Sequence, residues 1–168
     1  MALALPGREV SPTRFSNSVH NAAAGYWSIA TRSTMESTVL CAFDASFCAG
    51  LLEALAQVSD TDRPVLLCAY DTEYPEPLHA KRPILDAFGA ALVLNPRRTA
   101  TSLGRIRATL GDGRVDLMPS PSLESLRCAI PAARCLPLLR SLASRAPGSC
   151  ALEYLDSRRV LIEFDPCG

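Results

Sequence analysis

Two apolar runs on either side of one small-residue segment constrain this chain more than anything else in it. Residues 38–43 read TVLCAF, residues 46–58 read SFCAGLLEALAQV, and residues 64–70 read PVLLCAY. The flanking runs are short and apolar, as strands are, whereas Leu51, Leu52, Leu55 and Val58 recur at helical spacing in the segment between them. The run 64–70 shows no apolar-polar alternation, which predicts a strand covered on both faces. Strand, helix and strand in that order give an α/β class. A strand that feeds a helix N-terminus is also the local geometry that presents a nucleophile or holds a phosphate.

The rest of the chain extends this pattern. Capping oxygens at Ser16, Asn17 and Ser18, followed by Val19, Ala22, Ala23, Tyr26, Trp27 and Ala30, predict a helix over 17–31. Prolines and charges make 71–83 a surface loop. Further strands are expected at 87–94 and 103–110, a helix at 132–144, and two closing strands at 151–155 and 159–164. The polar, proline-rich stretch after Gly111 reads as loop.

Charge and cysteine usage exclude several function classes. Seventeen Lys and Arg balance seventeen Asp and Glu over 168 residues, so no global field draws the chain to nucleic acid or to anionic lipid. No window of the sequence is long and apolar enough for a membrane span, and MALALPGREV at the start lacks the charge and length of an export signal. The seven cysteines, Cys41, Cys48, Cys68, Cys128, Cys135, Cys150 and Cys167, form no C-x-x-C pair, and His20 and His79 are the only imidazoles. Zinc is therefore not expected, and neither is a metal at the acidic residues Asp71, Glu73 and Glu76. Apolar neighbours around Cys41 and Cys68 suggest buried free thiols in a reducing, cytoplasmic compartment. No Walker, G-x-G-x-x-G or G-x-S-x-G loop occurs.

Three stretches carry a resemblance: SNSVHNAAAGYWSIAT, AFDASFCAGLLEA and PVLLCAYDTEYPEPL. Together they resemble the N-terminal half of a β-ketoacyl synthase, and more closely the shorter synthase-like domains that include chain-length-factor partners. The likeness is best over residues 11–110, and the whole chain, 1–168, reads as one such domain. It implies a partial thiolase-like fold, with a mixed sheet flanked by helices, that begins after the family's first βαβ portion and lacks the half carrying its two catalytic histidines. A sheet so reduced exposes an edge and an apolar face.

What the resemblance implies about chemistry turns on one cysteine. In active members a thiol sits at the turn between the strand and the helix, where the helix N-terminus favours its thiolate. Here that turn is Asp44, Ala45, Ser46 and Phe47, and it holds no cysteine. Cys48, inside the helix close to its first turn, is the candidate nucleophile left; a small apolar core residue is the alternative reading of it. Asp44 and Ser46 read as helix caps, and Phe43 and Phe47 as core residues or as plugs of an acyl tunnel.

Arg97, Arg98, Arg105 and Arg107 offer guanidinium forks to an acyl carrier protein, or else form a solvated hairpin surface. The implied function is a non-catalytic, chain-length-factor-type partner of an active ketosynthase in fatty-acid or polyketide (including aryl polyene) synthesis. It would work as a homo- or heterodimer joined through residues 38–42, without a cofactor. An acyltransferase using Cys48 and an inactive remnant are the alternatives. His20 reads as a helix residue bonded to a neighbour.

Overall fold

The computed structural model describes residues 11–84 and 86–167; the reading of the first ten residues lies outside them. The chain divides into two compact units, residues 1–41 and 42–168.

In the first unit, two helices form, α1 over Pro12–Ser16 and α2 over Ala22–Thr31. The single helix expected over 17–31 starts only at Ala22. Residues 17–21 form a turn instead, because their side chains bond locally: Ser18 Oγ donates to the Phe15 carbonyl at 2.8 Å, and Asn17 Oδ1 accepts from the Tyr26 hydroxyl at 2.6 Å. No residue of α2 is buried.

The second unit opens with a 3₁₀ turn, Phe43–Ala45, and helix α3, Ser46–Thr61. The strand expected at 38–43 does not form. Among the described residues no strand runs beside it, and an apolar run makes a strand only where a neighbouring strand completes its ladder. In α3 the buried positions are Phe47, Cys48, Leu51, Ala54 and Val58, one face of a 3.6-residue period.

Strand β1, Val65–Asp71, pairs antiparallel with β2, Phe88–Leu94, and the short helix α4, Leu78–Lys81, lies in the connection between them. Strand β3, Gly104–Asp112, then runs antiparallel to β5, Arg158–Pro166, which also pairs with β4, Gly148–Glu153. Helix α5, Pro121–Ala129, a 3₁₀ turn over Pro131–Cys135 and helix α6, Leu136–Ser144, connect β3 to β4. The class is α/β as expected. Its strands are antiparallel throughout and lie in two small sheets, of order β1-β2 and β3-β5-β4, where one mixed sheet was expected.

One continuous core joins these layers. Phe47, Cys48 and Leu51 of α3 meet Cys135 and Leu138 from the α6 region and Cys150, Leu152, Val160 and Ile162 of the larger sheet. A second cluster gathers Ile84, Met118, Ile130, Ala133 and Leu136. Gly50 lets α3 lie close on the hairpin, since a Cβ there would come within 3.1 Å of Leu67 Cδ1.

The hairpin is covered on one side only, contrary to the two-sided cover expected for residues 64–70. Val65, Leu67 and Ala69 alternate with exposed Leu66, Cys68 and Tyr70, and exposed Val93 and Ala91 stand opposite Leu66 and Cys68. A run that is apolar at every position cannot signal which of its faces stays bare. Leu66→Thr and Val93→Thr should each shift unfolding free energy by no more than about 0.5 kcal/mol. Leu67→Ala, on the inward row, should cost about 2 kcal/mol, and urea titration of the three variants checks the contrast.

Candidate functional site

The turn Phe43–Ala45 holds an unusual backbone. Phe43 has φ of 53°, a left-handed conformation disfavoured for an aromatic residue. Ser46 compensates: its hydroxyl donates to the Phe43 carbonyl at 2.7 Å and accepts the Ala42 N–H at 2.9 Å, closing the turn from inside. Ser46 thus pins the turn and does not act as a cap, and Ala45 occupies the helix N-cap position with no side-chain bond. Phe43 is 70% exposed, and the Arg82 guanidinium lies over its ring, 4.7 Å from the centroid. Phe47, in contrast, is buried in the core.

Asp44 is not a cap either; it is the middle of an ionic chain. Its Oδ1 pairs with Arg82, and its Oδ2 lies 3.0 Å from Arg134 Nη2. Arg134 reaches on to Glu153, which stands 3.6 Å from Arg127 Nη1. Arg127 closes the series on Glu124, donating from Nε at 2.9 Å and from Nη2 at 2.7 Å. Arg127 and Arg134 retain 6% and 9% of their exposure, so the guanidiniums at its centre are shielded from water. Three arginines and three carboxylates alternate, so each of the two buried guanidiniums lies between two carboxylates, with Arg127 Nη1 and Arg134 Nε left without a hydrogen bond.

Helix α5 supplies part of this chain although the sequence reading placed a loop there. Its signal was present: Ser120 stands at the N-cap and Pro121 at the first helical position. Glu124 accepts a further bond from the Met118 N–H at 2.8 Å, and its bonds from Arg127 and Met118 hold its carboxyl near 2, below the usual 4.5. A carboxyl depressed in the folded state contributes stability above its unfolded value, and that contribution is lost as pH falls from about 4.5 through 2. Glu124→Gln should flatten the acid limb of the stability curve over that window, read by denaturant titration at stepped pH.

Asp71, at the end of β1, accepts the Ala132 N–H at 2.6 Å and anchors the turn Pro131–Cys135; burial pushes its carboxyl up against that bond.

The thiols separate by environment, and Cys41 and Cys68, expected to be buried, are both exposed, since their apolar neighbours do not cover them. Cys48 is 1% exposed, and burial, with Cys150 and Cys135 beside it, pushes its thiol up to about 12. Cys135 and Cys150 are likewise raised by burial, to about 12 and about 11. A thiol so placed is protonated at neutral pH and closed to a substrate. The structure sets Cys48 beside Leu51 in the core and does not aim it at the turn.

The four arginines expected to meet a carrier protein are spread apart. Arg105 and Arg107 lie on β3 opposite Asp165 and Glu163 of β5, at 3.6 Å and 2.9 Å, so the solvated face of that sheet is a cross-strand ladder of opposite charges. Arg97 pairs with Asp62 past the end of α3 at 2.5 Å. Arg98 lines an open cleft of about 620 Å³ with Arg145, Thr99, Thr101, Ser102 and Cys167. His79 lies 3.8 Å from Glu73, and His20 contacts the thiol of Cys41 within the first unit. Among the described residues no helix is long and apolar enough to cross a membrane.

Comparison with known families gives one match: the family described as Beta-ketoacyl synthase, N-terminal domain, over residues 3–117, more than half of the chain. No curated protein and no solved structure is detectably similar.

Proposed function

Because the chain belongs to the β-ketoacyl synthase N-terminal domain family, whose fold is thiolase-like, we propose that it is a member without a nucleophile of its own. In this reading it serves as a chain-length-factor-type partner of a catalytic ketosynthase in fatty-acid or polyketide synthesis. The observation that carries the reading is the turn Phe43–Ala45. The turn in which an active member presents a thiol here reads Asp44, Ala45, Ser46 and Phe47 and holds none, and both oxygens of Asp44 are taken up by arginines. Cys48, the nearest thiol along the helix, is buried and held protonated, which favours this reading over an acyltransferase that uses it. All seven cysteines are free, as suits a reducing, cytoplasmic setting.

The partner is a ketosynthase subunit in a heterodimer, and carrier-protein docking falls to that subunit, since Arg105 and Arg107 are already matched by carboxylates of their own sheet. The test combines the folded chain with a ketosynthase encoded beside it and with an acyl carrier protein thioester. Co-elution of the two proteins, together with a changed product chain length relative to the ketosynthase alone, is the expected result. A gain of one acyl group on this chain, mapped to Cys48 and absent from Cys48→Ala, would reject the reading and make the chain an enzyme.

A further inference from the structure

Seven thiols stand in this chain, and the structure gives them unequal chemistry. Cys48, Cys135 and Cys150 are buried together in the core. Cys128 is exposed, but its thiol lies 3.4 Å from the Glu124 carboxylate, and desolvation and that bond both push it up. Cys68 is exposed on the bare face of the hairpin among Leu66, Tyr70, Ala91 and Val93. Cys167 follows the end of β5 and is half-buried.

Cys41 differs from all of them. His20 Nε2 lies 3.0 Å from its Sγ, His20 standing just before α2 and Cys41 in the segment well after it, and both are exposed. Among the described residues it is the thiol in contact with an imidazole.

We propose that Cys41 and His20 form a reactive thiol-imidazole pair that takes up small soluble disulfides, making Cys41 the site at which this chain is S-thiolated. An imidazole within hydrogen-bond reach of a thiol can take its proton as the sulfur attacks. The Cys41 proton passes to His20 Nε2, and Sγ attacks one sulfur of the disulfide. The S–S bond of the co-reactant breaks as the new Sγ–S bond forms, and the departing thiolate takes the proton from His20. Cys41 is oxidised to a mixed disulfide, and the departing half of the co-reactant is reduced to a thiol. An exposed pair suits a small, water-borne electrophile of this kind. The inference concerns residues outside the turn Phe43–Ala45 and does not depend on the role proposed for that turn.

The test treats the full-length folded protein with limiting oxidised glutathione at neutral pH and maps mixed disulfides by peptide mass spectrometry. Cys68 and Cys128 act as references inside the same molecule. Modification of Cys41 on the order of tenfold faster than of Cys68 is expected, and His20→Gln should bring the ratio close to one. In His20→Ala, free imidazole in the buffer should restore part of the Cys41 rate without changing that of Cys68. Unmodified Cys48, Cys135 and Cys150 report that each variant keeps its core. Equal rates at Cys41 and Cys68 in the unaltered protein would overturn the proposal, as would a ratio indifferent to His20→Gln. So would acylation of Cys41 by a carrier-protein thioester with no mixed disulfide formed.

Discussion

Arg134→Ala should destabilise the second unit by about 3 kcal/mol, more than an ordinary surface arginine can contribute. The side chain is almost wholly buried and spans Asp44 and Glu153, so its removal leaves two carboxylates each short of one partner in a shielded seam. Arg82 and Arg127 remain beside them and keep the loss below that of a stranded isolated charge. Arg134→Lys should recover only part of it, because an ammonium cannot reach both acids with a planar fork. Arg105→Ala, whose side chain and partner are both exposed, is the control and should leave stability nearly unchanged. Urea titration of the three variants gives the comparison, and equal effects for Arg134→Ala and Arg105→Ala would show that the seam contributes no more than a surface pair.

Phe164→Ala is the second large effect, with an expected cost of about 4 kcal/mol. Phe164 is among the largest fully buried side chains, and it sits on the central strand of the three-stranded sheet, opposite Ile106 on one side and Gly148 on the other. The ring also explains Gly104. A Cβ at that position would collide with the ring and come within 2.5 Å of the Asp165 carbonyl oxygen, so the strand passes close only because the residue is glycine. Gly104→Ala should therefore destabilise by roughly 2 kcal/mol as an overpacking change. Combining it with Phe164→Leu should cost less than the sum of the two, since the smaller side chain removes one of the two collisions. Additive losses would mean that the carbonyl contact alone sets the requirement.

The parts of this fold that could be read from the sequence are those with local signals. The strands near 65–71, 88–94 and 104–112 follow from apolar content and turn residues, and the buried face of α3 follows from its period. The segment 38–43 has the same apolar content as β1 and yet forms no strand, because a strand is defined by a partner and composition does not name one. Helix α5 had a readable start at Ser120 and Pro121, hidden by the neighbouring prolines that made the stretch look like a loop.

At the candidate site, the missing thiol was visible from the motif alone. The ion pairs around the turn were not. Asp44 meets Arg82 and Arg134, and Arg134 meets Glu153, through contacts between residues far apart in sequence that no local spacing encodes. The burial of Cys48 was foreshadowed by Leu51 one turn later, whereas the approach of His20 to Cys41 depends on a loop path that periodicity does not report.

The alternating charges around Asp44 also bear on how this chain can change over evolutionary time. Exchanging Asp44 for any neutral residue would leave Arg82 and Arg134 with one carboxylate fewer between them. A lineage that changes the acid would have to alter the guanidiniums in concert with it, each intermediate being less stable than either end. The seam works as a ratchet: once the acid and its arginines are locked together, single substitutions at Asp44 lead away from a folded protein.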